Sequence, residues 1–169
     1  ARRRKSATTT RVANRVYRSI SMAPSRRLRL PLAALLVSAL IGWFLIAAIA
    51  APFDHDESQY VAGAYFSGHA VMFRDFLYLQ PPLHAWGLAP LSLIASGHMV
   101  LAMRLATAVM ALATLALIWV AQRAAGISRS SATPAMLLMA ATAAFQFSGS
   151  VVRNDMLATL LASAAMLLT

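Results

Sequence analysis

Three carboxylates fall within four positions of one another: Asp54, Asp56 and Glu57, in the stretch PFDHDESQY. They are three of only five acids in 169 residues. They directly follow 24 uncharged residues, Leu30 to Phe53. Carboxylates so grouped can act as general base, metal ligand or helix cap. Asp54 and Glu57, three residues apart, fit a capping box with Asp in place of Ser or Thr. One cap suffices, so Asp56 is the acid that capping explains least. An aspartate is ionised at neutral pH and can take a proton from an attacking hydroxyl. Asp56 is therefore the candidate general base. A structural reading of all three stays open, since Asp56 in a first turn also meets the positive end of the helix dipole.

Two further stretches carry charge in suggestive order. RND, Arg153 to Asp155, offers a second carboxylate and an arginine for an anion; the plainer reading is that Asn154 or Asp155 caps the next helix. FRDFLYLQPPLHAW, Phe73 to Trp86, has a double proline suited to the first positions of a helix. Its aromatic residues suit the head-group level of a bilayer. Arg74 there could meet a phosphate or a lipid head group. His55, His69, His84 and His98 show no H-x-x-x-H or H-E-x-x-H spacing, so no metal site is assigned. A divalent cation on the outer carboxylates is compatible with the sequence and not required by it. There is no cysteine, no P-loop and no G-x-G-x-x-G.

The surrounding elements set where these groups can sit. The chain is 60% apolar and 12% charged, with mean hydropathy +0.66. A soluble domain is nearer 45–50% apolar with about 25% charged, so a membrane protein is expected. The net charge of +10 does not point to nucleic acid. Ten of the fifteen Lys and Arg residues lie in residues 1–29, which contain no acid. That segment reads as a cytoplasmic anchor beside a span, drawn to anionic lipid head groups. Its Arg-rich, acid-poor composition also suits a transit peptide, but the spans that follow favour the anchor.

The first span is expected over residues 30–53, with the N-terminus inside and Asp54 emerging outside. The outer loop, 54–98, should hold a short helix from about His55 to Ser67, with Tyr60, Val61 and Ala64 on one face. An interfacial helix is expected next, at about 83–96, because Pro81, Pro82, Gly87 and Pro90 disfavour a second span there. The remaining spans are expected at 99–122, 131–151 and, truncated, 156–169. This topology puts all five acids on the outer face, together with Arg74, Arg104 and Arg153. The sequence opens without methionine and ends in an apolar run 14 residues past Asp155. A crossing needs about 20 residues, so we expect the N-terminal part of a longer protein.

The order of these features resembles the N-terminal part of the GT-C glycosyltransferases, in the branch of protein O-mannosyltransferases and bacterial aminoarabinose transferases. The resemblance is carried by DHDESQYVAGAYFSG, LQPPLHAW, the helix opened by Arg104 and RNDMLATLL, from about Asp54 to Leu161. It implies an all-α, multi-spanning membrane enzyme with juxtamembrane helices in its outer loop. That enzyme would move a sugar from a polyprenyl-phosphate carrier to a lipid, glycan or protein acceptor, outside the bacterial inner membrane. Asp56 would match the catalytic aspartate, Glu57 its site-shaping partner and Asp155 a second functional acid. Tyr60, Arg74, Gln80, Arg104 and Arg153 would contact substrate. Gln80 stands where aminoarabinose transferases have a lysine that meets the carrier phosphate, and Gln59 replaces an arginine. These departures favour a hexose or pentose other than aminoarabinose. The competing classes are a transporter or flippase subunit, which would pair charges near mid-membrane, and a membrane scaffold whose acids are only caps.

Overall fold

A computed structural model describes residues 26–95 and 97–168. The basic tail up to residue 25 lies outside the described residues. The chain divides between Ala39 and Leu40 into two units. The described part of the first is the opening stretch of one long helix. The second unit holds the end of that helix and all the others. Among the described residues the only departure from helix and loop is an isolated bridge between Met72 and Phe76. Among the described residues seven helices succeed one another: α1 Arg26–Ala50, α2 His55–His69, α3 Pro82–Ile94, α4 Met99–Ala124, α5 Arg129–Ala140, α6 Ala143–Ser150 and α7 Asn154–Ala165.

The central element of the second unit is α4. Its buried positions are Met103, Arg104, Thr107, Ala108, Ala111, Thr114 and Leu115. They recur at three- and four-residue spacing, which gathers them on one face of a helix. Most are small, so neighbouring helices approach closely. The hydroxyls of Thr107 and Thr114 donate to the carbonyls of Met103 and Met110, at 3.0 and 2.8 Å, so neither is buried unpaired. Phe44 and Ala48 of α1, Phe145 of α6 and Met156 of α7 close on this face in one apolar cluster. Gly149 of α6 is required by that closure: a Cβ there would lie 2.6 Å from the Phe44 ring and 3.0 Å from the Ala111 methyl.

Among the described residues, α4 alone is long and apolar enough to cross a membrane. At 1.5 Å per residue its 26 residues reach about 39 Å, beyond the ~30 Å hydrocarbon layer. Residues Ala34–Ala50 of α1 meet the same criterion only when joined to α2, and the two are bent by 91°. The bend falls at Ala51–Asp54, where Pro52 cannot supply an amide hydrogen to continue the helix.

Two helices depart from the sequence expectation. The single span expected over 131–151 is broken into α5 and α6. At the break the Thr142 hydroxyl donates to Met139 O at 2.8 Å and accepts from Phe145 N at 3.4 Å, so a side chain caps a new helix where the backbone would have continued. The residue at the N-cap of α7 is Arg153, not Asn154 or Asp155. Asp155 lies instead in the first turn, and its carboxylate is left for other partners.

The connection from α2 to α3 turns sharply within residues 71–76. Phe73 adopts φ +65°, a left-handed conformation uncommon for a bulky residue. Asp75 holds the loop by accepting from Val71 N at 2.8 Å and from Arg74 Nε at 2.8 Å.

Candidate functional site

The site is built in two layers at the α1–α2 elbow. The lower layer is an ion pair that water does not reach. Glu57, in the first turn of α2, is 0% exposed, and Arg104, in the second turn of α4, is 5% exposed. Arg104 donates Nε to Glu57 Oε1 at 2.8 Å and Nη2 to Glu57 Oε2 at 2.6 Å. This is the forked geometry that makes a guanidinium–carboxylate pair strong. Its remaining hydrogens go to the end of α1: Nη1 donates to Ala48 O and Ala51 O, and Nη2 to Pro52 O. The last carbonyls of a helix lack intrahelical donors, and a cation is favoured at that end of the dipole. Glu57 also accepts from Val152 N at 2.8 Å. The capping-box contact from Asp54 N is long, at 3.5 Å. One carboxylate and one guanidinium therefore tie α1, α2, α4 and the segment before α7 together.

The upper layer is exposed and centred on Arg153. Its Nε donates to Asp155 Oδ2 at 2.9 Å, and its Nη1 lies 3.4 Å from Asp56 Oδ2 and 3.8 Å from Asp54 Oδ2. The guanidinium also stacks over the Phe147 ring at 5.3 Å. The side chains of Asp56 and Asp155 are 54% and 50% exposed. Three carboxylates against one guanidinium leave this rim two negative charges in excess. The hydrogen bond with Asp155 is the chief cause that holds Arg153 protonated beyond its ordinary range. Tyr60 lies beside the rim. Burial raises its pKa above the usual phenol value, with Arg153 opposing and Asp155 and Asp56 adding to the rise.

The sequence-derived residues thus divide by place. Asp56, Asp155 and Arg153 meet at the rim, with Tyr60 at its edge. Glu57 and Arg104 lie beneath it, where no substrate reaches them as the structure stands. Arg74 pairs with its neighbour Asp75 in the 71–76 loop, and Gln80 is half-buried ahead of Pro81. Neither contacts Arg153 or its carboxylates. Among the described residues, no group of three or more His, Asp or Glu side chains is arranged to hold a metal ion.

Sequence reasoning passed over His84. It is 1% exposed in α3, edge-on to the Tyr60 ring at 5.7 Å between centroids. Among the described residues neither ring nitrogen has a hydrogen-bond partner, and nor does the buried hydroxyl of Tyr78. The Tyr78 ring lies so close to α2 that a Cβ on Gly63 would come within 2.3 Å of it. Burial lowers the His84 pKa to about 4, with Asp155 opposing. It raises that of Tyr78 to about 12, helped by Tyr60. The signal available in the sequence was the stripe His84, Leu88, Ser92, four residues apart, which turns His84 inward with its apolar neighbours.

His84 makes stability depend on pH. Above about 6.5, the ordinary value, it is neutral in both folded and unfolded chains. As pH falls towards about 4, the unfolded chain takes up a proton that the folded one refuses, so stability declines across that window. Melting of wild type and His84→Gln at pH 7 and pH 4.5 should show the larger drop in wild type. Parallel drops would mean that His84 is not held neutral.

No family model matches this chain, and no curated protein or solved structure gives a significant match.

Proposed function

We propose that the protein is an integral-membrane glycosyltransferase that moves a sugar from a polyprenyl-phosphate carrier to an acceptor on the outer face. One observation carries the reading. Asp56 is an exposed carboxylate held at 3.4 Å from Arg153, above a buried ion pair that anchors the helix bearing it. A rigid support beneath an accessible acid is what positioned proton transfer needs.

In this reading α1 leads outward, α2 and α3 lie at the outer surface, α4 returns, α5 and α6 lead out again, and α7 starts back. The apolar side chains that α3 turns outward, among them Leu83, Trp86, Leu93 and Ile94, then face lipid rather than water. The acceptor hydroxyl attacks C1 of the sugar while Asp56 takes its proton. The bond from C1 to the phosphate oxygen breaks, the polyprenyl phosphate leaves, and the anomeric centre is inverted. Arg153 is the base nearest Asp56. Its contact with Asp54 is its longest, at 3.8 Å, and that edge turns to the leaving phosphate. Asp155 keeps the guanidinium in place through Nε, and Tyr60 offers a hydroxyl beside the same spot. No step is routed through a metal ion.

The test is reconstitution of the full-length protein in vesicles with polyprenyl-phosphate sugars and an acceptor extract. Consumption of a carrier above the protein-free rate supports transfer. Failure to consume any carried hexose or pentose discards it.

A further inference from the structure

The ring of Tyr78 fills a slot between α2 and α3. Leu77 and Leu79 beside it are 76% and 84% exposed, whereas Tyr78 is 7% exposed. The backbone here runs along the surface, and the Tyr78 ring alone points inward. It fits where Gly63 leaves α2 without a side chain, since a Cβ there would lie 2.3 Å from Tyr78 Cε2. On the α3 side it packs on Ala85. His84 is the residue before Ala85, and it stands edge-on to Tyr60, one turn before Gly63 on α2. Tyr60, His84 and the Tyr78 ring therefore share one gap between the two helices.

Several observations mark the ring as a removable plug. Among the described residues, no backbone hydrogen bond holds Leu77, Tyr78 or Leu79. Tyr78 belongs to a small cluster with Met72 and Ala85, apart from the two cores that hold Phe44 and Val61. Regions with few buried apolar contacts open first. The turn that leads into the segment holds Phe73 at φ +65°, and strain of this kind collects at ligand clamps and switch regions. The closed form leaves the Tyr78 hydroxyl and both His84 nitrogens buried with no partner among the described residues. Unpaired buried polar atoms weaken that form relative to one in which they are paired.

The slot also defines what replaces the plug. It is cut to a six-membered ring bearing a hydroxyl. A neutral imidazole offers one N–H and one acceptor nitrogen, which suit hydroxyls that both donate and accept. Burial lowers the His84 pKa and raises that of Tyr78, so both groups stay neutral there. A phosphate or an amino sugar would bring charge into this place; a neutral sugar ring brings none. Tyr60 borders slot and rim alike, so a ring held in the slot is one side chain away from the rim.

We propose that Tyr78 swings outward on the 77–79 segment and that the slot it leaves binds the neutral sugar ring of the donor, whose hydroxyls pair with His84. The identity of the occupant rests on the transfer reaction of the proposed function; the movement of Tyr78 does not.

Thiol labelling of the full-length protein in detergent tests both, because the sequence contains no cysteine. Ala85→Cys sets one thiol under the plug. Leu115→Cys, 2% exposed in the core around α4, reports general unfolding. A maleimide should label either position slowly. Gly63→Ala, which drives a Cβ into the plug, and Tyr78→Ala, which removes it, should each speed labelling at position 85 by at least about tenfold and leave position 115 slow. An unchanged rate at position 85 in both variants overturns the plug, as does an equal rise at position 115. In the Tyr78→Ala background, a neutral hexose or pentose on polyprenyl phosphate should slow labelling at position 85 about tenfold, polyprenyl phosphate alone should not, and His84→Ala should abolish the protection. Equal protection by the bare carrier, or none by any neutral carried sugar, overturns the sugar assignment. Carrier consumption in vesicles without protection here removes the sugar from the slot and leaves transfer standing. Absence of consumption discards transfer, and the plug is still decided by Gly63→Ala.

Discussion

Arg104→Ala is expected to lower stability by about 3–5 kcal/mol, the range for removing one partner of a buried ion pair. The loss has two parts. Glu57, 0% exposed, would keep a carboxylate in a place that water does not enter, with only backbone amides left to it. The carbonyls of Ala48, Ala51 and Pro52 would lose their donor at the end of α1. Lysine should not rescue the change. Its ammonium is a point charge, and the site uses the fork of a guanidinium on two carboxylate oxygens and three carbonyls at once. Glu57→Gln should cost less than Arg104→Ala, because the amide keeps the shape and still accepts from Arg104 or Val152. Thermal or denaturant unfolding in one detergent would rank the variants. An Arg104→Ala protein that melts with wild type would show that the pair does not hold the elbow.

Asp56→Asn is expected to behave in the opposite way, with stability kept and transfer lost. The side chain is 54% exposed, and an exposed substitution usually moves stability by no more than about 0.5 kcal/mol. A missing general base typically lowers the rate by about 10²–10⁴-fold. In the reconstituted assay the decisive comparison is with Asp54→Asn, on the same guanidinium. If transfer falls by that factor for Asp56 and not for Asp54, the base is Asp56. Equal small losses would mean that the rim acts only as a field around Arg153. Wild-type transfer in Asp56→Asn would remove the residue from the mechanism.

The site was partly legible because its chemistry is local in sequence. Asp56 and Glu57 are adjacent, Arg153 and Asp155 are two apart, and charge is so scarce elsewhere that each group stands out against apolar surroundings. A helix starts at Pro82, where a double proline can only begin one. The inward face of α4 can be read from the spacing of Thr107, Ala111, Thr114 and Leu115. The break between α5 and α6 was not legible, because a threonine inside an apolar run is as compatible with a continuous helix as with a cap. The inward turn of His84 was visible only as a weak four-residue stripe, easily outweighed by the head-group aromatics beside it.

By itself the sequence determined that the chain is helical and apolar, with its acids gathered in a few short stretches. Those properties derive from composition and periodicity, which act over a few residues. Only the tertiary structure decided which charges are buried and which are free. Glu57 and Asp56 are neighbours with the same charge, and nothing local separates them. Glu57 is drawn inward because Arg104, 47 residues away, and the Val152 amide, 95 residues away, converge on it. A buried carboxylate is tolerable only when such partners arrive together. Asp56, one step further round the elbow, remains at the surface beside Arg153, and the division between support and chemistry rests on that difference.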